Sequence, residues 1–304
     1  MNYPLVAIIV LNWRKPAETL ACLESLSRIT YPNVMHVVVD NGSGDDSVPL
    51  IRARYPQAAL LETNANLGYA GGNNVGVRWA LAHGADFTLI LNNDVTVDPG
   101  FVESLVEASQ QEPGPAVTTP MICEMERPGV IWTLGSDIDW RTGAPVRRHA
   151  GDLRTDWQRS RPHRVAITPG TAMLVPRKAW ECAGLIDEQY FLYYEEADWC
   201  QHALRSGCTM VAVPDSCIWH DTEGAAQRTS PAITYYMTRN ALRFLSRNVE
   251  QPQRWQGQAR VMRMAAWHSL GDLRHGHYAR ARARWRAIYD YLLGRFGPLP
   301  KGAS

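Results

Sequence analysis

Within the first hundred residues, short apolar runs alternate with segments that carry helix signals, and this alternation constrains the fold more than any other feature. The predicted strands occupy residues 6–11, 36–40, 59–62 and 88–91, and the first of them is a continuous apolar run. After the first run, Pro16 begins a stretch in which Leu20, Leu23 and Leu26 recur at helical spacing. Unbroken apolar runs are typical of strands that are buried on both faces. Strands that alternate with helices predict an α/β fold with a parallel sheet and right-handed crossovers.

Each of these predicted strands ends in or is followed by amide or acid side chains. They are Asn12 for the first strand, Asp40 for the second, Asn64 and Asn66 for the third, and Asn92, Asn93 and Asp94 for the fourth. Ligands of open α/β sheets bind at the carboxyl ends of the strands. Asn and Asp are also common turn and cap residues, which explains one or two of these positions more readily than all of them. The sequence therefore predicts a polar binding site at this edge of the sheet.

Three carboxylates directly follow an aromatic run in the second half of the chain. The run 191–194 reads Phe-Leu-Tyr-Tyr, and Glu195, Glu196 and Asp198 come next, where a helix is predicted to begin. Acidic residues stabilise a helix N-terminus, so a purely structural role is one explanation. Burial beside aromatic rings would raise the pKa of these carboxylates toward useful basicity, so the cluster is also a candidate catalytic site.

The composition, with 45% hydrophobic and 20% charged residues, is that of a folded protein and excludes wholesale disorder. The apolar run 6–11 is too short for a signal-peptide core or a membrane span. The six cysteines form no C-x-x-C pair, and we expect reduced thiols in a cytoplasmic protein. Residues 251–304 hold ten Lys and Arg against two Asp, a net charge of +8, which leaves −7 on residues 1–250.

Several motifs together resemble those of family 2 glycosyltransferases, most closely the rhamnosyltransferase-like branch. The motifs lie at Asn12 and at residues 39–43, 66–76, 91–94, 170–173, 194–198 and 219–220. They occur in order over about residues 5–245, and their combination is far more specific than any one of them. The resemblance implies a GT-A fold, which is an α/β arrangement with a Rossmann-like mixed sheet flanked by helices, here with a C-terminal helical extension.

The resemblance also divides the chain and implies an activity. Residues 1–230 would form the glycosyltransferase domain, with a nucleotide-binding half over about 1–112 and an acceptor-side half over about 113–230, and residues 231–304 would form a basic helical extension. The implied activity is inverting, metal-dependent transfer of a hexose or deoxyhexose from a nucleotide-sugar donor, with dTDP-L-rhamnose favoured. The acceptor would be a hydroxyl of a glycan, a lipid-linked sugar or a small molecule.

Two other functions are compatible with the sequence. A sugar nucleotidyltransferase shares the α/β layout and the metal requirement, but it would want a glycine-rich basic loop after the first strand, where residues 12–16 read Asn-Trp-Arg-Lys-Pro. A non-catalytic protein that binds nucleotide sugars or glycans on a degenerate GT-A scaffold is the second. Asn92 and Glu196, which depart from the family's pattern, keep this hypothesis open.

The resemblance implies a nucleotide sugar and a divalent metal at the carboxyl edge of the sheet. The metal, Mg²⁺ or Mn²⁺, would bind Asp94 and His220 and neutralise charge on the leaving diphosphate. Asn92 replaces the first Asp of the family's acidic motif and would hydrogen-bond the ribose or a water on the metal, while Asp40 would accept from the imide of a uracil or thymine. The expected donor-site residues are Asn12, Asp40, Asn66, Gly68, Gly71, Asn73, Asn92, Asn93, Gly170 and Thr171.

In this family the second carboxylate of the acidic pair is the catalytic base, and the position is usually Asp. Here it is Glu196, whose side chain is one methylene longer and can take the acceptor's proton when it is desolvated. Glu195 and Asp198 would tune Glu196 through like charge, or bind the acceptor and the helix N-terminus. Glu195 is the alternative base.

The basic C-terminal segment contains an apolar stripe at helical spacing. The stripe consists of Tyr278, Ala281, Trp285, Ile288, Tyr289 and Leu292. Such a helix packs on its own domain, forms a homodimer, or lies on an anionic membrane surface, so peripheral contact with the inner face of a membrane is one expectation. No nucleic-acid recognition motif accompanies the charge, and nucleic acid is not an expected partner.

Overall fold

The N-terminal half alternates strands and helices in a computed structural model, which describes residues 3–222 and 230–299. Its elements are β1 (Val6–Asn12), α1 (Pro16–Leu26), β2 (Val34–Asp40), α2 (Ser47–Arg54), β3 (Ala59–Glu62), α3 (Gly68–Ala82), β4 (Phe87–Asn92), β5 (Val95–Val97) and α4 (Phe101–Gln111). Strands β3, β2, β1 and β4 lie side by side and run parallel. The α/β fold predicted from the alternation is confirmed.

The second half completes a mixed sheet. Its elements are β6 (Ala116–Glu124), β7 (Ile131–Thr133), β8 (Ser136–Asp139), β9 (Ala144–Arg147), α5 (Arg154–Trp157), β10 (His163–Arg164), β11 (Ala172–Pro176), α6 (Arg177–Ala183), a 3₁₀ turn (Glu188–Tyr190), α7 (Glu195–Arg205) and β12 (Thr209–His220). The strand order is β10-β12-β6-β11-β4-β1-β2-β3, with β5 paired to β12 and β7 to β6, while β8 and β9 form a separate hairpin. Strand β11 is antiparallel to β4 and to β6, which makes the sheet mixed.

Both faces of the sheet are covered, because successive residues of β1 enter different hydrophobic cores. Ile9 packs in a core with α3, α6, α7 and the C-terminal helices. Ile8 and Val10 pack in a second core with α1, α2 and α4. Burial on both faces explains why residues 6–11 of β1 are an unbroken apolar run rather than an alternating pattern. The helices cover the two faces of the sheet but not the carboxyl ends of the parallel strands. Polar side chains lie at these strand ends.

Three helices form the predicted C-terminal extension: α8 (Pro231–Asn248), α9 (Gln253–Arg274) and α10 (Tyr278–Leu292). Leu242, Phe244 and Leu245 of α8 belong to the same hydrophobic core as α3 and α7, so the extension is packed into the main body of the protein. The proposed division of the chain at residue 230 stays a prediction. Among the described residues, no helix combines the length and the apolar character that crossing a bilayer requires.

Candidate active site

Asn12 and Asp40 join the carboxyl ends of β1 and β2. The parallel register sets them opposite each other, and Nδ2 of Asn12 donates to Oδ1 of Asp40 at 2.7 Å. Ser43 donates to the same carboxylate from its backbone nitrogen, 3.0 Å from Oδ2, and from its hydroxyl. Both strand-end side chains are buried. Asp40 therefore orders the loop after β2, and its direct contact with a nucleotide base stays a prediction.

The loop that precedes α3 is fastened to two neighbouring segments. Nδ2 of Asn41 donates to the carbonyl oxygen of Gly68 at 3.0 Å and to Oδ1 of Asn66 at 3.2 Å, which ties this loop to the end of β2. Gly68 has φ +74°, and a Cβ atom there would lie 2.2 Å from the carbonyl oxygen of Phe191. Only glycine fits this position, because the loop approaches the aromatic run too closely for a side chain.

Two predicted donor residues lie inside α3, within the same part of the site. Nδ2 of Asn73 donates to the carbonyl oxygen of Tyr69 at 3.0 Å, and Oδ1 of Asn73 is buried with no hydrogen-bond partner among the residues that the structure covers. A Cβ atom on Gly71 would lie 2.8 Å from Cβ of Leu67. A buried amide oxygen without a partner is uncommon in folded proteins, so Asn73 is a candidate ligand contact.

The two asparagines at the end of β4 make hydrogen bonds to different parts of the site. Nδ2 of Asn93 donates to Oγ1 of Thr19 at 3.0 Å, and that hydroxyl donates to Oδ1 of Asn12 at 2.7 Å. Asn93 is thereby part of the network beneath the β1 end. The backbone nitrogen of Asn92 donates to the carbonyl oxygen of Thr171 at 2.9 Å, which joins β4 to the start of β11.

Asp94 and His220 meet because β5 pairs antiparallel with β12, with Val95 opposite His220. Nε2 of His220 lies 3.3 Å from Oδ1 of Asp94, and the two side chains are only 12% and 25% exposed. Burial raises the pKa of Asp94, but the hydrogen bonding and charge of His220 and the charge of Lys15 outweigh burial and lower the pKa overall. The carboxylate is therefore ionised beside two basic side chains.

This pair fits a divalent cation. Neighbouring ligands of an octahedral ion with bonds of ~2.1 Å lie about 3 Å apart, close to the separation of these two atoms. No well-aligned hydrogen bond reaches Oδ1 of Asp94 or Nδ1 of His220 from the described residues. Residues 3–222 and 230–299 hold no group of three or more His, Cys, Asp and Glu side chains arranged around an ion. Asp94 and His220 therefore fit a metal whose remaining ligands come from phosphate and water.

Tyr69 connects the loop before α3 to two other parts of the site, although sequence reasoning did not single it out. Its hydroxyl donates to the carbonyl oxygen of Gly170, and its backbone nitrogen donates to the carbonyl oxygen of Phe191 at 2.7 Å. A Cβ atom on Gly170 would lie 2.6 Å from the Tyr69 hydroxyl, so this contact requires glycine. The one feature of the sequence that points to Tyr69 is its position inside the motif 66–76.

Three carboxylates of the candidate site affect the pKa of the Tyr69 phenol. Burial, and then the negative charges of Glu196, Glu195 and Asp94, raise the pKa of Tyr69 well above its usual range. The charges of the metal-ligand candidate and of the two glutamates therefore act on the same phenol.

Glu195 and Glu196 open α7 with buried carboxylate oxygens. Glu195 is 3% exposed, Glu196 is partly buried, and Oε2 of each has no hydrogen-bond partner in the described part of the chain. Burial raises the pKa of both, and the charge of Glu196 raises that of Glu195 further. Unpartnered carboxylates with a raised pKa are typical of catalytic groups.

The backbone just before this pair is strained. The φ angles are 65° at Phe191, 67° at Tyr193 and 73° at Tyr194. These values lie in the left-handed region, which residues other than glycine rarely adopt. Each such conformation costs about 1–3 kcal/mol and persists only where the surroundings hold it.

Two buried side chains of α8 hold this segment. Nδ2 of Asn240 donates to the carbonyl oxygens of Tyr190, Leu192 and Tyr193 at 3.0, 2.8 and 2.9 Å. Arg239 donates to the carbonyl oxygen of Tyr190 at 3.0 Å and to Oδ1 of Asn240 at 3.0 Å. Because both side chains are fully buried, the hydrogen bonds are protected from water and fix the entry into α7.

Asp198, the third carboxylate of the cluster, binds α8. Nε of Arg247 lies 3.1 Å from Oδ2 of Asp198, and Nδ2 of Asn248 donates to Oδ1 at 2.6 Å. The structure therefore attaches Asp198 to α8, whereas Oε2 of Glu195 and Oε2 of Glu196 have no hydrogen-bond partner among the described residues.

The mixed Rossmann-like sheet flanked by helices is a GT-A fold. Solved structures share this fold. GalNAc-T7 with UDP, GalNAc and Mn²⁺ superposes with a TM-score of 0.64 at 16% identity, over 81% of this chain and 48% of that chain. The mannosyltransferase PcManGT from Pyrobaculum calidifontis, in complex with GDP-Man and Mn²⁺, superposes with a TM-score of 0.61 at 14% identity, over 97% and 89% of the two chains.

The chain belongs to glycosyl transferase family 2, because residues 6–182 match that family. N-acetylglucosaminyl-diphospho-decaprenol L-rhamnosyltransferase of Mycobacterium tuberculosis is 28% identical over 220 residues, which cover 65% of this chain and 70% of that protein. The dTDP-rhamnosyl transferase RfbF of Shigella flexneri is 23% identical over 256 residues, 82% of each chain. Galactofuranosyltransferase GlfT1 of M. tuberculosis is 28% identical over 222 residues, 71% of this chain and 69% of that protein.

These comparisons confirm the predicted resemblance to rhamnosyltransferase-like members of the family, and the chain is a glycosyltransferase. Family membership favours sugar transfer over the nucleotidyltransferase and non-catalytic hypotheses.

Proposed function

We propose that the protein transfers L-rhamnose from dTDP-L-rhamnose to a hydroxyl of a lipid-linked glycan, with inversion at the anomeric carbon and with Mg²⁺ or Mn²⁺ bound. The observation that carries this proposal is the pairing of Asp94 with His220, whose Oδ1 and Nε2 lie 3.3 Å apart where β5 pairs with β12. The donor is supported by two relatives named as rhamnosyltransferases. The acceptor class is supported by the decaprenol diphosphate in the name of one of them.

In this proposal the donor lies along the ends of β1, β2 and β4. The loop that Asp40 orders would receive the base, and the buried amide oxygen of Asn73 is available to the nucleotide or the sugar. Lys15, whose charge acts on Asp94, would add positive charge near the diphosphate. The close approach at Gly68 and Gly170 would let backbone atoms line the donor sugar.

Asp94 and His220 would hold the metal through Oδ1 and Nε2. When bound, a divalent ion neutralises charge that develops on the leaving diphosphate. The contribution of this chain is to keep the Asp94 carboxylate ionised, since the interactions with His220 and Lys15 lower its pKa despite burial.

The proposed reaction is a single displacement. The acceptor oxygen attacks the anomeric carbon and forms the new glycosidic bond, while the bond from that carbon to the diphosphate oxygen breaks and its electron pair leaves with the nucleotide. Glu196 takes the hydroxyl proton, and its raised pKa makes it a stronger base than an exposed carboxylate. Attack opposite the leaving group inverts the anomeric centre.

The structure favours Glu196 over Glu195 as the base. Two neighbouring buried carboxyls resist simultaneous ionisation, so one of them keeps its proton more strongly. Burial is more complete at Glu195, and the charge of Glu196 raises its pKa further. The more accessible Glu196 would therefore meet the acceptor, and Glu195 stays the alternative base.

A donor panel tests the proposed activity without knowledge of the acceptor. The protein is incubated with Mn²⁺ and dTDP-L-rhamnose, dTDP-glucose, UDP-galactofuranose, UDP-N-acetylglucosamine or GDP-mannose, and nucleotide release is measured. We expect slow hydrolysis to be fastest with dTDP-L-rhamnose and to be lost in Asp94→Asn. Faster release from another donor would refute the donor assignment. In this proposal the enzyme works in the cytoplasm, where its six free cysteines stay reduced.

A further inference from the structure

The two C-terminal helices α9 and α10 present exposed stripes of aromatic, leucine and arginine side chains. Each stripe advances in steps of four and three residues, so its members lie on one side of the helix. The stripe on α9 consists of Arg263, Trp267, Leu270 and Arg274, and the stripe on α10 consists of Tyr278, Arg282, Trp285, Tyr289 and Leu292. We call these nine residues the outer face.

The apolar members of the outer face are exposed to an unusual degree. Trp267 is 72% exposed, Trp285 is 53% and Leu292 is 65%. Aromatic side chains of this size are usually largely buried, and several exposed ones close together mark an interaction surface. Ala265 and Ala287, on the opposite sides of the two helices, are buried in hydrophobic clusters.

Buried ion pairs hold α9 and α10 in place. Arg280 and Arg284 both pair with Asp272 of α9, and Arg286 pairs with Asp290 within α10. The two acidic residues of this region are therefore buried and neutralised, and they contribute no negative charge to the outer face.

The arginines of the outer face, unlike Arg280, Arg284 and Arg286, have no acidic partner among the described residues. Arg263, Arg274 and Arg282 are exposed and form no ion pair with any residue in 3–222 or 230–299. A second copy of the chain would set these three arginines against the same three, and like charges oppose that contact. Anionic lipid headgroups attract them, and Trp and Tyr rings favour the boundary between headgroups and acyl chains.

We propose that the outer face docks the protein on an anionic lipid bilayer, with α9 and α10 lying in the plane of the interface. A short series of contacts joins this face to the active site. Ala283 and Ala287 of α10 pack on Tyr236 of α8, and Tyr236 stacks on Phe191 at a ring-centroid distance of 5.3 Å. Docking would therefore leave α10 and Tyr236 between the lipid and the segment before Glu195.

Flotation of the purified full-length protein with lipid vesicles tests this proposal without an activity assay. Vesicles of phosphatidylcholine alone are compared with vesicles that also contain phosphatidylglycerol, at low and at high ionic strength. We expect binding to the anionic vesicles about 100-fold tighter than to the neutral ones, since each exposed arginine contributes roughly a fivefold gain. Salt should weaken this binding, because it screens exposed charges.

Two variants separate the charged and aromatic contributions. Arg263→Gln, Arg274→Gln and Arg282→Gln together should weaken anionic binding about 100-fold. Trp267→Ala with Trp285→Ala should weaken it at least about tenfold, since buried aromatic area at the interface is lost. The matched control removes three exposed arginines elsewhere, Arg28→Gln, Arg52→Gln and Arg54→Gln, and should bind like wild type. Circular dichroism confirms that each variant is folded.

The absence of flotation with anionic vesicles at low salt would overturn the proposal. Binding that is unchanged in both outer-face variants, or lost equally in the control, would also overturn it. Sedimentation in solution adds one more outcome: a dimer that the Trp variant dissociates, without vesicle binding, would assign the outer face to a second copy. A failed donor assay leaves these results unaffected, because flotation measures docking alone.

Discussion

The side-chain amide of Asn240 donates a hydrogen bond of 2.9 Å to the carbonyl oxygen of Tyr193, two residues before the first glutamate of α7. Tyr193 has a left-handed backbone, with φ 67°, and the same amide also holds the carbonyl oxygen of Leu192. A strained backbone keeps its conformation only when such contacts outweigh the strain. The direction in which Glu195 and Glu196 enter the site therefore depends on a buried residue of another helix.

Asn240→Asp should disturb catalysis through position rather than contact. It replaces a buried donor with an acceptor that faces carbonyl oxygens, which costs about 1–3 kcal/mol or more in stability. We expect kcat to fall about 10- to 100-fold while donor affinity stays within a few fold, since small displacements of catalytic groups are costly. Asn33→Asp, the same change at an exposed site, is the control. A wild-type kcat in folded Asn240→Asp would contradict this role.

Glu196→Gln should remove the base and leave the binding site intact. The amide cannot accept the acceptor's proton, so we expect transfer to fall about 10²- to 10⁴-fold. Nucleotide affinity, measured by calorimetry, should stay within a few fold because the size and position of the side chain are retained. Glu181→Gln, an exposed change on α6, should have no effect on either quantity. Near-wild-type turnover in Glu196→Gln would remove Glu196 from the mechanism.

Glu195→Gln should make the protein more stable near neutral pH. The pKa of Glu195 is raised in the folded state, so the folded protein retains a proton that the unfolded chain loses above about pH 4.3. The contribution of Glu195 to the free energy of unfolding is therefore fully present below pH ~4.3, and it is lost as the pH rises through the folded-state pKa. The variant escapes this loss, and its Tm should exceed that of wild type at pH 7 but match it near pH 4. An equal difference at both pH values would show that the cause is not ionisation.

Asp94→Asn should uncouple nucleotide binding from the metal. An amide is a weaker ligand than a carboxylate, and the variant also loses a negative charge beside His220. In wild type, we expect Mn²⁺ to increase the thermal stabilisation that dTDP provides, and we expect this increase to vanish in the variant. Asp215→Asn, an exposed change on β12, is the control. A full Mn²⁺ effect in Asp94→Asn would exclude Asp94 as a ligand.

Sequence alone could predict the edge of the sheet where the site lies, because strand ends in parallel sheets meet there by geometry. Asn12 and Asp40 could be expected to be neighbours for this reason, and they are hydrogen-bonded. The proximity of Asp94 and His220 depends instead on the pairing of β5 with β12, which local patterns do not specify. The antiparallel direction of β11 was equally hidden, since an apolar run does not encode strand direction.

Other features needed the three-dimensional structure. The apolar stripe predicted on α10 is divided, with Ala281 and Ile288 buried and Trp285 and Tyr289 exposed, because the two pairs lie on different sides of the helix. The hydrogen bonds of Asn240 follow from the way α8 crosses the aromatic run. Spacing within one helix cannot reveal such contacts between distant segments.

In the proposed mechanism, one site holds a nucleotide sugar, a metal and a carboxylate base. The most direct test measures dTDP binding and dTDP release from dTDP-L-rhamnose with Mn²⁺, in wild type and in Glu196→Gln. We expect both proteins to bind dTDP alike. Wild type should transfer rhamnose to added lipid-linked acceptor with inversion, and the variant should not. Tight binding by wild type without release of nucleotide from any donor, with or without acceptor, would contradict this mechanism.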